Sequence, residues 1–143
     1  MIIREIAWGS PDYAAAVSLR NDLLCLPVGA SIFSSDLRQE KDSFHFAAFD
    51  AEGRMTGTLI LAPDSDTQFH VRQVAVLPAM RGQGTGHALM AHAEAFARAR
   101  GVRTLRLDAR TNARRFYLAC GFTVCGEPFG RVDLRLTPMQ KQL

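Results

Sequence analysis

Val74-Ala75-Val76-Leu77-Pro78-Ala79-Met80-Arg81-Gly82-Gln83-Gly84-Thr85-Gly86 is the stretch that decides the fold. Its opening residues are apolar and valine-rich and read as the end of a strand. Leu77-Pro78 closes that strand, and a glycine-rich loop, Arg81 to Gly86, leads into a helix over 85–100. A strand, a glycine turn and a helix start bring several backbone N–H groups to one point. The helix dipole adds partial positive charge there. Glycine lets the backbone turn tightly and approach a ligand with no Cβ in the way. Such a place suits phosphate or pyrophosphate. A P-loop would need Gly-Lys-Ser/Thr at its end, and that is absent. A dinucleotide fingerprint needs G-x-G-x-x-G. Read from Gly82 the last glycine position is His87, and read from Gly84 it is Leu89. The loop also lies in mid-chain, after a hairpin, where a dinucleotide fold would begin with it. Taken alone, the same glycines also fit a plain tight connection.

Residues 68–76 form the strand that feeds the loop. A hairpin precedes it. Phe44, Phe46 and Ala48 alternate with His45, Ala47 and Phe49, residues 50–53 turn, and 54–62 return. Pro63 to Asp66 is a further turn. Residues 2–8 read as a first strand. Ser10 caps a helix with Pro11 in its first turn. Ala16, Leu19, Leu23 and Leu26 are its expected apolar face, and Pro27 its expected end. A second short helix is expected late in 28–42. Downstream, Leu89, Ala93, Phe96 and Ala97 give the buried face of the 85–100 helix. Glu94 and Arg98 pair on its outside, and Gly101 stops it. Residues 104–108 are a strand, Asn112 caps a short helix ending at Gly121, and 122–124 and 131–136 are the last strands. Hairpins and helical crossovers both occur. The expected fold is therefore α/β (α+β): one mixed sheet flanked by helices, in a single domain over 1–143.

Composition narrows the function. Hydrophobic residues make up 48% and charged residues 22%, a globular balance rather than a disordered one. The net charge of +3 permits an anionic ligand. The arginines are spread along the chain rather than gathered in a stripe, which argues against nucleic acid. The apolar runs are too short to span a bilayer, and the N-terminus lacks a signal-peptide layout. A soluble, cytoplasmic protein is expected, without a membrane partner. Cys25, Cys120 and Cys125 form no CxxC pair, and their odd number suits a reducing compartment. They are expected to pack rather than to carry an acyl group. His87 and His92 are five apart and do not share a helix face, so no metal site is expected.

A second motif lies downstream: Asn112-Ala113-Arg114-Arg115-Phe116-Tyr117, then Cys120-Gly121-Phe122. Together the two stretches resemble the GNAT superfamily of acyl-CoA N-acyltransferases. Its hallmark is Gln or Arg, two residues, Gly, one residue, then Gly or Ala. Arg81, Gly84 and Gly86 match it. The asparagine, Phe-Tyr and Gly-Phe block matches in the right order, with a helix and a strand between. The element order is similar over nearly the whole chain. Leu19-Arg20 and Leu26-Pro27-Val28-Gly29 also resemble one bacterial branch of small acetyltransferases. Glu127-Pro128-Phe129-Gly130 departs from that branch's Gly-x-Pro-His pattern.

The resemblance implies a splayed sheet that takes acetyl-CoA as co-substrate in its gap. The backbone of Val74, Ala75 and Val76 would pair with the pantetheine arm. The amides of Arg81, Gly82, Gln83, Gly84, Thr85 and Gly86 would hold the pyrophosphate. Asn112 is a candidate to bond the arm, with helix capping as its alternative. Tyr117 is the candidate catalytic acid. Attack of an amine on a thioester expels a thiolate, and a phenol can protonate it. With Phe116 in the core, Tyr117 is expected to face the cleft. His70 is a candidate base, with sheet packing as its alternative. Glu40, Asp42 and His45 are weaker candidates. The implied activity is acetyl transfer from acetyl-CoA to a primary amine by direct attack, on a small molecule or a protein. A non-catalytic acyl-CoA-binding module is the alternative, and a different nucleotide-phosphate binder a third reading. Acceptor identity is expected to rest on the first helices and the loop before the last strand. A homodimer is compatible with all of this.

Overall fold

A computed structural model describes residues 1–143. Its strands are β1 (Ile2–Ile6), β2 (Phe44–Phe49), β3 (Met55–Pro63), β4 (Gln68–Val76), β5 (Thr104–Arg110), β6 (Thr123–Val124), β7 (Phe129–Arg131) and β8 (Leu134–Gln142). They form one sheet in the order β1-β2-β3-β4-β5-β8-β6, with β7 on β8. Every pairing is antiparallel except β4 with β5, which is parallel. The helices are α1 (Pro11–Arg20), α2 (Thr85–Ala99) and α3 (Arg114–Ala119). No helix is long and apolar enough to cross a membrane.

The two helical layers follow from strand alternation. In β2, Phe46 and Ala48 join α2 residues Leu89, Met90, Ala93 and Ala97 in the main core. Ala47 and Phe49 point the other way and meet Ala16 of α1. A strand covered on both faces is apolar throughout, which is why β2 shows so little polar alternation. Gly57 of β3 permits this closeness. A Cβ there would sit 2.9 Å from Leu89 Cδ1 and 3.1 Å from the Ala75 oxygen.

Several expectations fail in instructive ways. The buried face of α1 is Tyr13, Ala16, Val17 and Arg20, whereas Leu26 is exposed. An arginine can replace a leucine on a core face when a carboxylate meets it there. Pro27 does not end the helical run. The chain passes from α1 through a π-turn (Asn21–Cys25) into a 3-10 turn (Leu26–Val28) that contains it. Two 3-10 turns, Ile32–Ser34 and Leu37–Glu40, replace the expected second helix. Glu94 is buried, and its nearer partner is Lys141 at 2.7 Å rather than Arg98 at 3.7 Å. The expected strand over 131–136 is instead the tip of the β7–β8 hairpin, with Val132 exposed at the turn. Alternation carries on through a tight turn that lacks glycine or proline, so the pattern hid it.

β4 and β5 part soon after they pair. Their parallel pairing covers only 68–70 against 104–106. Beyond His70, β4 keeps β3 on one side and has no strand on the other, while β5 stays paired with β8 up to Arg110. A bulge lies on this free stretch, where Gln73 and Val74 together oppose Leu59. Gln73 has φ 55°, alone among the non-glycine residues in taking a positive value. Bulges bend a strand and increase its twist.

Candidate functional site

The loop after β4 is built to leave amides free. A 3-10 turn, Pro78–Met80, uses the Arg81 N–H, which donates to the Pro78 oxygen at 3.2 Å. Arg81 therefore offers its side chain but not its amide. No backbone carbonyl accepts from residues 82–87. Gly84 is the N-cap of α2 at φ 83°, with no side-chain cap, and Gly82 has φ 79°. Both conformations are left-handed and favour glycine. Gly86 serves a different need. A Cβ there would meet the Phe116 ring at 3.0 Å, so its absence lets α3 approach α2. Gln83 Nε2 donates to the Ala79 oxygen at 3.2 Å and closes the loop. The result is a cup of unpaired N–H groups at the positive end of α2, beside the free edge of β4. The His87 amide belongs to this cup and was missed in the sequence, because the glycine pattern stops at Gly86.

Tyr117 and Phe116 differ from expectation. Tyr117 is the more buried of the two and lies in the main core with Phe122. Phe116 is half-buried against Gly86 and His87. The Tyr117 hydroxyl is not among the sealed, unpartnered atoms of the interior, so it keeps a path to solvent. Burial, and then the nearby Cys120, push it up to about 12, with Arg110 opposing them. Asn112 does not cap α3. It is exposed in a 3-10 turn, Thr111–Ala113, and the cap position is Ala113 with no side-chain bond. Its amide is therefore left free. Arg114 Nε is buried without a partner, a position that nothing in the sequence separated from Arg115.

His70 stands at the closed end of the gap. Its Nδ1 lies 3.5 Å from Asp64 Oδ2, and its Nε2 lies 3.5 Å from Asp108 Oδ2. Arg110, farther along β5, reaches across to donate to the Leu24 oxygen of the π-turn at 2.8 Å. That contact brings the segment after α1 over the gap. Of the weaker candidates, Glu40 is locked by Arg20 and Tyr13, and His45 is buried against the Glu40 carbonyl. Cys120 lies 3.5 Å from His87 Nδ1, and burial raises its thiol. Burial also leaves it a poor nucleophile.

Comparison with known proteins adds an independent line. Residues 30–143 match the family model described as Acetyltransferase (GNAT) domain. Streptothricin acetyltransferase of Streptomyces lavendulae is 36% identical over 93 residues, 62% of this chain and 49% of that protein. The match thus spans about half the length of that curated relative. A candidate N-acetyltransferase structure from Lactobacillus plantarum superposes with a TM-score of 0.83 at 27% identity, covering 100% of this chain and 99% of that one. An aminoglycoside 6'-N-acetyltransferase, solved with coenzyme A, superposes with a TM-score of 0.81 at 18% identity, covering 99% and 97%. That last likeness speaks for the fold alone.

Proposed function

The chain belongs to the GNAT acetyltransferase family, and on that footing we propose that it moves an acetyl group from acetyl-CoA to a primary amine by direct attack. One observation carries the reading. The single parallel strand pair stops after His70, and the free β4 edge runs straight into a cup of unpaired amides. A pantetheine arm, which carries amide groups of its own, can add to a free sheet edge as a short strand does. A pyrophosphate suits the N–H groups of residues 82–87 at a helix start. In this proposal Val74, Ala75 and Val76 bind the arm through their backbone, and Asn112 supplies its free amide. The Arg81 side chain, which has no ion pair within the chain, meets the phosphates.

The chemistry is then short. A neutral amine attacks the thioester carbonyl, the C–S bond breaks, and the sulfur leaves as a thiolate. Tyr117 donates its proton to that thiolate. The attacking nitrogen gives up a proton to a base or to water, and His70 is the candidate base. Asp64 and Asp108 flank His70 and are partly exposed, which offers a route for the proton to solvent. If His70 serves as base, His70→Gln lowers kcat by about 100-fold and removes the acidic limb of the pH–rate profile. An unchanged profile would strike His70 from the mechanism.

The acceptor is a small-molecule amine or an exposed protein amine. The streptothricin and aminoglycoside enzymes among the relatives make polyamine antibiotics natural members of a first panel. The test is thiol release from acetyl-CoA against such a panel, together with amino acids and peptide N-termini. Amine-dependent release is expected. Acetyl-CoA binding with no release on any amine would contradict the transferase reading in favour of a binding module.

A further inference from the structure

We infer that Arg20 is a positioning residue: through Glu40 and Gln73 it holds the β4 bulge in place, and with it the edge along which acetyl-CoA docks. The inference rests on the proposed function above and goes on to the origin of the gap. It begins from an anomaly in α1, whose core-facing side includes an arginine only 2% exposed. Burying a guanidinium is costly unless its donors are matched. Here they are. Nη1 donates to Glu40 Oε1 at 2.9 Å, Nη2 to Glu40 Oε2 at 2.6 Å, and Nε to Gln73 Oε1 at 3.2 Å.

Glu40 is fixed in turn. The Tyr13 hydroxyl donates to Glu40 Oε1 at 2.8 Å, and His45 Nε2 lies 2.8 Å from the Glu40 carbonyl oxygen. Burial alone would raise the Glu40 carboxyl, but the bonds from Arg20 and Tyr13 outweigh it and hold it low. The guanidinium is thus anchored on a charged, immobile partner, and its third donor points at the bulge.

The bulge needs such support. Gln73 sits at φ 55°, where a Cβ crowds the following carbonyl and glycine is the usual occupant. Without a hold on its side chain, the chain can relax by moving the register of β3 on β4. A one-residue slip would turn Val74, Ala75 and Val76 over. It would also change the bend that carries β4 away from β5. A buried ion pair is a poor source of net stability, so its use against a strained bulge fits a role in specifying conformation. Arg20 touches neither the amide cup nor Tyr117, and its effect passes through Gln73.

The test is a double-mutant cycle read by acetyl-CoA calorimetry, thermal unfolding and amide hydrogen exchange over 71–76. Lysine at position 20 keeps the charge beside Glu40 but lacks the planar fork that reaches Gln73 as well. Arg20→Lys is expected to weaken acetyl-CoA binding by about tenfold and to speed exchange at 71–76. Glycine takes the left-handed conformation unaided, so Gln73→Gly is the background in which the bulge no longer depends on the Arg20 bond. In that background Arg20→Lys should change the affinity by less than about twofold. Equal effects in both backgrounds, or lost thermal stability with unchanged affinity, would overturn the inference. Should Arg20→Lys fail to fold, Gln73→Leu decides. It keeps the crowded Cβ and loses the amide, so an acetyl-CoA affinity like that of wild type would overturn the inference. Wild-type protein that does not bind acetyl-CoA would instead refute the proposed function itself.

Discussion

Tyr117→Phe is expected to lower kcat by about 100-fold or more while leaving acetyl-CoA affinity within about twofold of wild type. The substitution keeps the ring and removes only the hydroxyl proposed as proton donor. The ring contacts with Phe116 (5.0 Å between centroids) and Phe122 (6.0 Å) are retained, so the fold is not at issue. What is lost is the acid proposed to meet the departing thiolate. Burial pushes the Tyr117 hydroxyl up to about 12, so it holds its proton across the physiological range. Wild-type activity should therefore show no alkaline limb from Tyr117 below about pH 11. The linked stability has a definite sign. The folded pKa is raised, so the contribution is fully present below the ordinary tyrosine value of 10.0 and is lost as pH rises through about 12. Alkaline unfolding over that window should be weaker in the variant. Single-turnover kinetics check the central point. An unchanged chemical step in Tyr117→Phe would remove Tyr117 from the mechanism.

Gly84→Glu is expected to weaken acetyl-CoA binding by more than about 100-fold, or roughly 2.7 kcal/mol. A carboxylate would then stand at the cap of α2, among the amides proposed to receive pyrophosphate. Sterics are not the cause, since a Cβ at Gly84 meets nothing within 4 Å. Backbone strain is part of it, because φ 83° disfavours any side chain by about 1–2 kcal/mol. Gly84→Ala separates the two effects. It carries the strain without the charge, so it should lose far less affinity than the glutamate variant at similar thermal stability. Equal losses in the two variants would show that the loop's shape matters and the charge does not.

The sequence was most legible where conformation is set locally. The β4 strand and the start of α2 were read at their observed positions, because a valine-rich run and a glycine turn act over a few residues. The glycines at 82 and 84 do take left-handed conformations, which only such residues accept readily. The gap itself came from resemblance, since the parting of β4 from β5 depends on a bulge that no local rule marks at Gln73. Arg20 was hidden for a related reason. Its burial depends on Glu40, twenty residues away, and a hydropathy pattern counts an arginine as exposed. The sequence pattern puts Tyr117 toward the cleft and Phe116 in the core, whereas Tyr117 is the more buried. Both contribute to apolar packing, and only the approach of α3 onto Gly86 decides how deeply each is buried. The β7–β8 hairpin is hidden because Val132 and Asp133 make the turn without glycine or proline, and the alternation runs on through it.

One titration tests the acetyl-CoA site: purified protein against acetyl-CoA by calorimetry, with ATP and NAD run alongside. Saturable binding of acetyl-CoA, with no heat from NAD and none from ATP, is the predicted result. Well-folded protein that takes up no acetyl-CoA would contradict the proposed function. The free β4 edge and the amide cup would then be architecture without the ligand assigned to them.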